Sequence, residues 1–326
     1  MKTLIFGAGP LGTLMAARLH EAGEDVTLLA RGRRYEDLKK YGAIINIEGT
    51  DIEEIEKVKV VETFKPDDEY DLVIIVMRKN HVDEIILDLA KNKNVPTYLF
   101  MGNNAEGPEK LVEALGEDRV MLGFPYPGGH REDPKVVVLK IDEKKQYKIP
   151  IGEVDGKIRP RTEEAAELLR NMRGYKVKIR KDMVPWLKYH AAMLMSGFVP
   201  AIYAADIDMK KLGNDKELLY DAVKATKESM KALQTSGIPP SPKIVKILSY
   251  IPNSLMVALI GWMMRKEFAK SSVEGHPRDA RDEMEYIYNE LIKNIDRDKV
   301  KTPAMDKLAK YYNPDILSEE KKFLSN

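Results

Sequence analysis

Cysteine is absent from this 326-residue chain, and neither sign of charge is in excess. The absence of cysteine excludes disulfides, thiolate metal ligands and a cysteine nucleophile, and it fits a reducing cytoplasm. The 53 Lys and Arg residues nearly balance the 52 Asp and Glu residues, which leaves a formal net charge of +1. A protein that binds nucleic acid or a membrane surface through a basic field carries a larger positive excess. We therefore expect a cytoplasmic protein whose partners include neither nucleic acid nor membrane.

Long apolar runs are missing as well. The run at residues 4–6 is too short for the apolar core of a signal peptide. Pro252, Asn253 and Gly261 interrupt the run at 251–264. Both runs fall short of the roughly 20 apolar residues that cross a bilayer. The second run is expected to form a buried helix or a contact between subunits, so a homodimer is one candidate assembly.

The first half of the sequence alternates β-branched runs with amphipathic stretches. Parallel strands that are buried on both faces lose the polar alternation of exposed ones, so this texture predicts an α/β fold with a doubly wound Rossmann sheet. The expected strands are residues 2–6, 25–30, 71–77, 97–101, 119–123 and 175–179. The expected helices are 11–22 and 162–172, and residues 136–154 are expected to form a hairpin.

The second half has a different texture. From residue 184 onward the pattern is helical almost throughout, with breaks at proline, asparagine and glycine. A chain of this length is expected to form two domains. The sequence therefore predicts a Rossmann domain at 1–182 and an all-helical domain at 183–326.

A glycine motif, GAGPLG at residues 7–12, lies between the first strand and the first helix. Gly7 makes a tight turn, Gly9 lets the backbone approach a pyrophosphate, and Gly12 lets the helix pack close to the strand. The helix that begins around Pro10 and Leu11 presents unpaired N–H groups and a partial positive charge to an anion. The motif in this context predicts a dinucleotide site.

The end of the second strand discriminates between the two nicotinamide dinucleotides. An NAD site usually has an acidic residue there, which bonds the ribose 2′-hydroxyl. Here the strand ends in Ala30-Arg31-Gly32-Arg33-Arg34, without an acid. A guanidinium binds a 2′-phosphate through charge-assisted hydrogen bonds. We therefore expect NADP(H) as cofactor, with Arg31 as its main ligand and Arg33 or Arg34 assisting.

Further local patterns follow in order along the chain. The strand DLVIIVM runs into Arg78, the loop MGNNAEG holds Asn103, and WLK lies at 186–188. Together with GAGPLG, Arg31 and the segment EMEYI at 283–287, they resemble the ketopantoate reductase family, the 2-dehydropantoate 2-reductases and their relatives. The resemblance covers nearly the whole chain and implies a Rossmann domain joined to a helical one, with NADPH as the reductant.

The resemblance assigns roles to these residues. It places Arg78 near the cofactor, and Asn103, with Asn104 as the alternative, beside the nicotinamide and the substrate. It makes Lys188 the catalytic acid and Glu283 an active-site residue that could hold this lysine or bond a substrate hydroxyl. Reducing a ketone by hydride transfer puts negative charge on the carbonyl oxygen, which a positioned ammonium stabilises and protonates.

The substrate-binding positions only partly match. Ser271 falls where the family places a serine on the substrate carboxylate, with Ser272 beside it. Members that reduce ketopantoate carry Asn four and eight residues after the lysine, where this chain has Ala192 and Ser196. Ser196 remains a candidate substrate ligand, but the loss of both amides leaves the substrate open. We expect reduction of a 2-oxo acid or related carbonyl; the alternatives are an imine or other oxo substrate, and a non-catalytic NADP(H)-binding regulator.

Three histidines lie near these segments without an assigned role. His190 follows Lys188 by two residues, His276 precedes Glu283 by seven, and His130 follows two glycines. His190 and His276 could bind a different substrate or carry a proton near neutral pH, or they could be a helix-surface residue and a helix cap. No histidine cluster has the spacing of metal ligands, so no metal is expected.

Overall fold

The computed structural model describes residues 1–140, 146–266 and 275–316. The chain separates into two compact units. Unit 1 consists of Met1–Asn103 and Pro108–Val184, and unit 2 consists of Asn104–Gly107 and Pro185–Asn326.

Unit 1 contains two sheets. Its strands are β1 Thr3–Phe6, β2 Val26–Leu29, β3 Ala43–Ile47, β4 Glu53–Glu56, β5 Lys59–Val61, β6 Leu72–Ile75, β7 Tyr98–Met101, β8 Val120–Gly123, β9 Gly129–Glu132, β10 Lys135–Val138, β11 Tyr147–Glu153 and β12 Tyr175–Ile179. Its helices are α1 Pro10–Glu21, α2 Arg33–Tyr41, α3 Lys79–Lys91, α4 Glu109–Leu115 and α5 Pro160–Arg170, with a 3-10 turn at Glu117–Arg119.

The large sheet has the order β12-β11-β8-β7-β6-β1-β2-β5. All neighbours pair in parallel except β8 with β11, which are antiparallel. The part from β5 to β8 has the strand order of a Rossmann fold, in which the order reverses between β1 and β6. Every residue of β1, β2, β6, β7 and β8 is buried, as two-sided burial of a parallel sheet requires. The predicted fold class is confirmed.

The predicted hairpin at 136–154 is wrong, because its two halves belong to different sheets. A second sheet has the order β4-β3-β10-β9, and in it β10 pairs in parallel with β3 and antiparallel with β9. In contrast, β11 pairs with β8 and β12 in the large sheet. Both halves are apolar, and apolarity does not reveal which sheet will bury a strand.

Unit 2 is helical in the part that the structure describes. Its helices are α6 Met183–Met193, which starts two residues before the unit does, α7 Val199–Ala204, α8 Met209–Asn214, α9 Lys216–Thr235, α10 Ile244–Leu248, α11 Asn253–Met264, α12 Gly275–Asp279, α13 Arg281–Lys293 and α14 Pro303–Ala309, with a π-helical segment at Leu194–Phe198 and a 3-10 turn at Lys310–Tyr312. The long α9 carries alanines and larger apolar residues on its buried face. Small residues there let neighbouring helices approach closely, which gives the unit its core.

Helix α11 is apolar but mostly exposed. Only Val257 and Gly261 of its residues are buried. Leu255, Leu259 and Trp262 lie on one side of the helix and are 60%, 56% and 54% exposed. The expectation of a buried helix at 251–264 is therefore wrong, and the subunit contact stays a prediction. None of the helices within the described ranges combines the length and apolarity that crossing a bilayer demands.

Candidate active site

The glycine turn brings the ends of β1 and β6 together. Gly7 has a φ of +120°, and a Cβ there would lie 2.4 Å from the carbonyl oxygen of Val76. A Cβ on Gly12 would lie 1.9 Å from the carbonyl oxygen of Gly7, so only glycine lets α1 pack this close to the turn. A Cβ on Gly9 would meet no atom within 4 Å. Space for an anion therefore lies above Gly9, at the switch point of the sheet.

The N-terminus of α1 faces this space with backbone groups and no acid. Pro10 occupies the first turn, which contains no acidic residue, and the cap residue Gly9 has no side chain. The positive end of the helix dipole is thus not neutralised locally and suits a phosphate. Strand β9 packs beside it: a Cβ on Gly129 would lie 3.2 Å from the Cβ of Pro10. The neighbouring His130 lies in β9, and its Nε2 is 3.1 Å from a carboxylate oxygen of Glu132.

Arg34 is buried beneath the glycine turn. Its guanidinium donates to the carbonyl oxygen of Ala8 at 3.3 Å, to Oγ1 of Thr13 at 3.1 Å and to the carbonyl oxygen of Pro134 at 2.5 Å. Burial lowers the pKa of Arg34, and the nearby charge of Arg131 lowers it further. The expectation that Arg34 assists at a cofactor phosphate is corrected: its side chain ties the turn to α1 and to the β9–β10 connection.

Arg31 and Arg33 remain at the surface after β2. Arg31 is exposed, and the Arg33 side chain is 82% exposed with its Nε 3.7 Å from Asp37. Glu62, which no sequence pattern singled out, follows β5 and accepts a hydrogen bond from the Gly32 amide at 3.3 Å. An acid therefore does lie near the end of β2, but it comes from the next strand of the sheet, which no local pattern indicates.

Asn103 and Asn104 have different environments. The Oδ1 of Asn103 is buried and has no hydrogen-bond partner in the described part of the chain. The Oδ1 of Asn104 accepts from the Gly107 amide at 2.9 Å and so shapes its own loop. A buried acceptor without a partner is costly, and a bound ligand can satisfy it. Of the two, Asn103 is the residue that fits a ligand. Arg78 is half-buried at the N-cap of α3, three residues after the end of β6.

In unit 2, Lys188 is a buried cation. It lies on α6, and its Nζ donates to the carbonyl oxygen of Glu106 at 2.9 Å and to Oδ1 of Asn294 at 2.5 Å. Asn294 directly follows α13 and was not among the residues that the sequence singled out. Its contact with Lys188 joins positions 106 residues apart, for which a single sequence contains no signal.

Glu283 lies at the other end of α13 and has a different partner. Its carboxylate is buried, and Oε2 lies 2.9 Å from Nε2 of His276. Along a helix, Glu283 and Asn294 are about 16 Å apart, more than a glutamate side chain spans. Glu283 therefore does not hold the ammonium in the position where Asn294 holds it, which corrects one of the two roles considered for this residue.

His190 is stacked on Trp186, with ring centroids 5.1 Å apart and an interplanar angle of 13°. Burial, together with the positive charge of His276, lowers the pKa of His190 to about 4. The ring is neutral at pH 7 and does not serve as a proton donor there. Of the two histidines in this unit, His276 is the one that contacts a buried carboxylate.

The candidate substrate-binding serines are Ser196, which is part of the core, and two residues that the structure does not describe. Ser196 is fully buried in the π-helical segment, where its hydroxyl contacts the carbonyl oxygen of Ala192 at 2.5 Å and the Ser229 hydroxyl at 2.8 Å. The prediction that Ser196 binds substrate is wrong, because this hydroxyl belongs to the core of the unit. Ser271 and Ser272 lie outside the described residues.

Each unit has a distinct chemical capacity. Unit 1 combines an open glycine turn, a helix N-terminus and the unsatisfied acceptor of Asn103, which together suit a nicotinamide dinucleotide. Unit 2 contains a buried ammonium that can stabilise and protonate a developing oxyanion.

Comparison with known proteins finds similar chains. Residues 3–156 match the family model described as ketopantoate reductase PanE/ApbA. The 2-dehydropantoate 2-reductase of Pyrococcus horikoshii is 25% identical over 295 residues, which cover 90% of each chain.

Solved structures show the same fold at lower identity. The 2-dehydropantoate 2-reductase of Geobacter metallireducens has a TM-score of 0.75 at 19% identity, covering 96% of this chain and 99% of that one. A D-mandelate dehydrogenase, solved with NADH and anilino(oxo)acetate, has a TM-score of 0.70 at 18% identity, covering 96% and 97%. The ketopantoate reductase family model thus matches residues 3–156, the similarity to a 2-dehydropantoate 2-reductase extends along the chain, and the fold is shared with proteins of that name.

Proposed function

We propose that this protein is an NADPH-dependent reductase of a 2-oxo acid, of the type that converts 2-dehydropantoate to pantoate. The observation that carries the proposal is the buried ammonium of Lys188, held by two neutral acceptors. Burying an ammonium is costly, so a lysine kept buried and held in position on a helix is a candidate for a functional role. A regulator that only binds the cofactor has no need of it. We also expect the protein to act in the cytoplasm, and with ketopantoate as substrate it would serve pantothenate biosynthesis.

The cofactor part of the proposal rests on unit 1. Gly7, Gly9 and Gly12 open the turn, and the pyrophosphate would lie on the backbone of Pro10 and Leu11 at the start of α1. Arg31 would bind the 2′-phosphate. Arg78 would neutralise negative charge after β6, and Asn103 would use its unsatisfied Oδ1 on the carboxamide or the substrate. When bound, NADPH supplies the hydride.

The catalytic part rests on unit 2. Lys188 stabilises the charge that develops on the substrate's carbonyl oxygen and donates the proton that completes the alcohol. Glu283, with His276 on its carboxylate, would bind a polar group of the substrate. Lys188 on α6 and Glu283 on α13 are themselves buried, which restricts their motion.

A second candidate differs in substrate only. The structural similarity to a D-mandelate dehydrogenase and the absence of amides at Ala192 and Ser196 both favour a 2-oxo acid other than ketopantoate. A site that hydrogen-bonds a substrate hydroxyl strongly rejects analogues that lack it. Without those amides, this site should discriminate less against an apolar or aromatic side chain.

The test is a screen of NADPH oxidation over 2-oxo acids, with ketopantoate, benzoylformate and a cyclic imine included. We expect turnover of at least one 2-oxo acid, and Lys188→Ala should lower kcat by about 100- to 10,000-fold without changing the Kd for NADPH. Lys293→Ala is the matched control, because that lysine is exposed and lies 3.9 Å from a Glu106 oxygen. Turnover of the imine alone would favour the imine reductase, and no turnover at all would favour the regulator.

A further inference from the structure

Asn294, the residue directly after α13, contacts the ammonium that the proposed function uses. We propose that Asn294 is the positioning residue of Lys188, supplying from α13 the amide that α6 lacks at Ala192. The inference rests on the proposed function for its catalytic consequence, and on the contacts alone for its structural part.

The orientation of the Asn294 amide is determined by its second contact. Its Nδ2 donates to the carbonyl oxygen of Glu290 at 3.0 Å, so Oδ1 is the atom that faces Lys188. The second acceptor of the ammonium is a backbone carbonyl, that of Glu106 at 2.9 Å. Two fixed acceptors determine both the position and the rotation of an ammonium group. They therefore determine the direction of its third N–H.

Acidic residues accompany both acceptors of Lys188 in this unit. Glu290 lies one turn before Asn294 on the same face of α13 and is only 1% exposed. Carboxylate oxygens of Glu290 and Glu106 lie within 4.8 Å of each other. Lys293 is another cation near this pair. Its Nζ lies 3.9 Å from a carboxylate oxygen of Glu106, and its side chain is mostly exposed. Asn294 adds an acceptor without adding charge, which suits a lysine that must both keep its proton and release it to an oxyanion.

The role of Asn294 differs from that of the other catalytic candidates. Glu283 lies at the opposite end of α13, with His276 of α12 on its carboxylate, and would contact the substrate. Asn294 would act through Lys188, so its loss should lower kcat more than it changes KM. Removing a group that orients a catalytic side chain typically costs about 10- to 100-fold in activity.

The experiment compares Asn294→Leu, Asn294→Asp and Asn214→Leu in the full chain. Asn294→Asp keeps an acceptor for Lys188, whereas Asn294→Leu removes it at similar volume. Asn214 is the matched control, because its Nδ2 also donates to the carbonyl four residues earlier, that of Lys210, at 2.9 Å and at an exposed helix end. We expect kcat to fall about 10- to 100-fold in Asn294→Leu, less in Asn294→Asp, and not at all in Asn214→Leu. Equal losses in Asn294→Leu and Asn294→Asp, or no loss in either, would overturn the proposal.

A second measurement does not depend on activity. The rate at which acetic anhydride acetylates Lys188, followed by peptide mass spectrometry across pH and normalised to Lys293, reports the protection and the pKa of the ammonium. We expect faster acetylation of Lys188 in Asn294→Leu than in the wild type. An unchanged rate would refute the positioning role whatever the activity. A changed rate in a protein that reduces no 2-oxo acid would support the contact and reject the proposed function.

Discussion

Three arginines from one short basic run show how much the environment decides at the scale of single residues. Arg31 is exposed at the strand end and Arg33 is exposed on α2, whereas Arg34 is buried under the glycine turn with three protein acceptors. Only the first two can reach a ligand in solution. Arg31 directly follows β2 and Ala30, at the position that recognises the ribose in Rossmann folds.

Replacing Arg31 tests the cofactor preference. Arg31→Ala should weaken NADPH binding by about 10- to 100-fold, because a charge-assisted hydrogen bond to the 2′-phosphate is lost. NADH binding should stay the same or improve, since Glu62 lies near the strand end and can bond a ribose hydroxyl. Fluorescence titration with both cofactors measures the two affinities. Arg170→Ala is the control, because that arginine lies at the exposed end of α5 with its Nη2 3.9 Å from a Glu163 oxygen. Equal affinity of the wild-type protein for NADPH and NADH would contradict the assignment.

The residues that the sequence predicts well are those whose role is local. The roles of Gly7 and Gly12 follow from a turn between two adjacent elements, and the close contacts at both positions agree with them. The structural roles of Asn294 and Arg34 could not be predicted in this way. Their partners lie 106 residues away at Lys188 and 100 residues away at Pro134, so the contacts exist only after the chain has folded.

At the scale of elements, the turn between β1 and α1 has glycine at two positions for opposite physical reasons. A side chain at Gly12 would collide with the backbone of the same turn, whereas one at Gly9 would enter open space. The first glycine is required by packing, and the second leaves room for a ligand. The two substitutions to alanine should therefore have different effects.

Gly12→Ala should lower the free energy of unfolding by about 1–3 kcal/mol, because the added Cβ forces α1 away from the turn. Gly9→Ala should leave stability near that of the wild type, since its φ of −72° is open to any residue. Both variants should lose NADPH affinity. Chemical denaturation and cofactor titration separate the two effects. A Gly9→Ala protein that binds NADPH normally would show that the anion does not lie over this glycine.

The elements that the sequence mispredicts are those whose pairing is not local. The strands β1, β2, β6, β7 and β8 could be predicted because each is a buried apolar run. We predicted neither β3 nor β4, which are partly exposed. The pairing partner of β10 was mispredicted because its parallel neighbour β3 lies about 90 residues earlier in the chain. Val136, for example, pairs with Ile45.

At the scale of the whole molecule, the exposed apolar side of α11 predicts an assembly. Leu255, Leu259 and Trp262 form a stripe at helical spacing, and Ile247 and Tyr250 just before the helix are exposed as well. Exposed apolar patches of this kind mark association sites in soluble proteins. A second copy of the chain is the partner that we propose, and the small net charge of +1 opposes such pairing little.

Leu259→Lys tests the homodimer. A charge in the centre of the stripe should convert the dimer to a monomer, because a buried unpaired ammonium is costly. The control is Leu87→Lys, which changes an equally apolar residue that is 74% exposed on α3 and outside the stripe. Light scattering after size exclusion measures the mass of each variant. A wild-type protein that is monomeric, or a Leu259→Lys variant that stays dimeric, would remove α11 from the interface.

The path of the chain through unit 2 limits how this protein can be recombined with its relatives. The short segment Asn104–Gly107 belongs to unit 2, although unit 1 supplies the chain on both sides of it. Lys188 takes one of its two acceptors from that segment, at Glu106. A chimera made by exchanging everything after Val184 would combine the incoming lysine with the host's own segment 104–107, and so with a carbonyl placed by the host's sequence. Exchange of the whole of unit 2 therefore requires three junctions, two of which flank an insert of four residues.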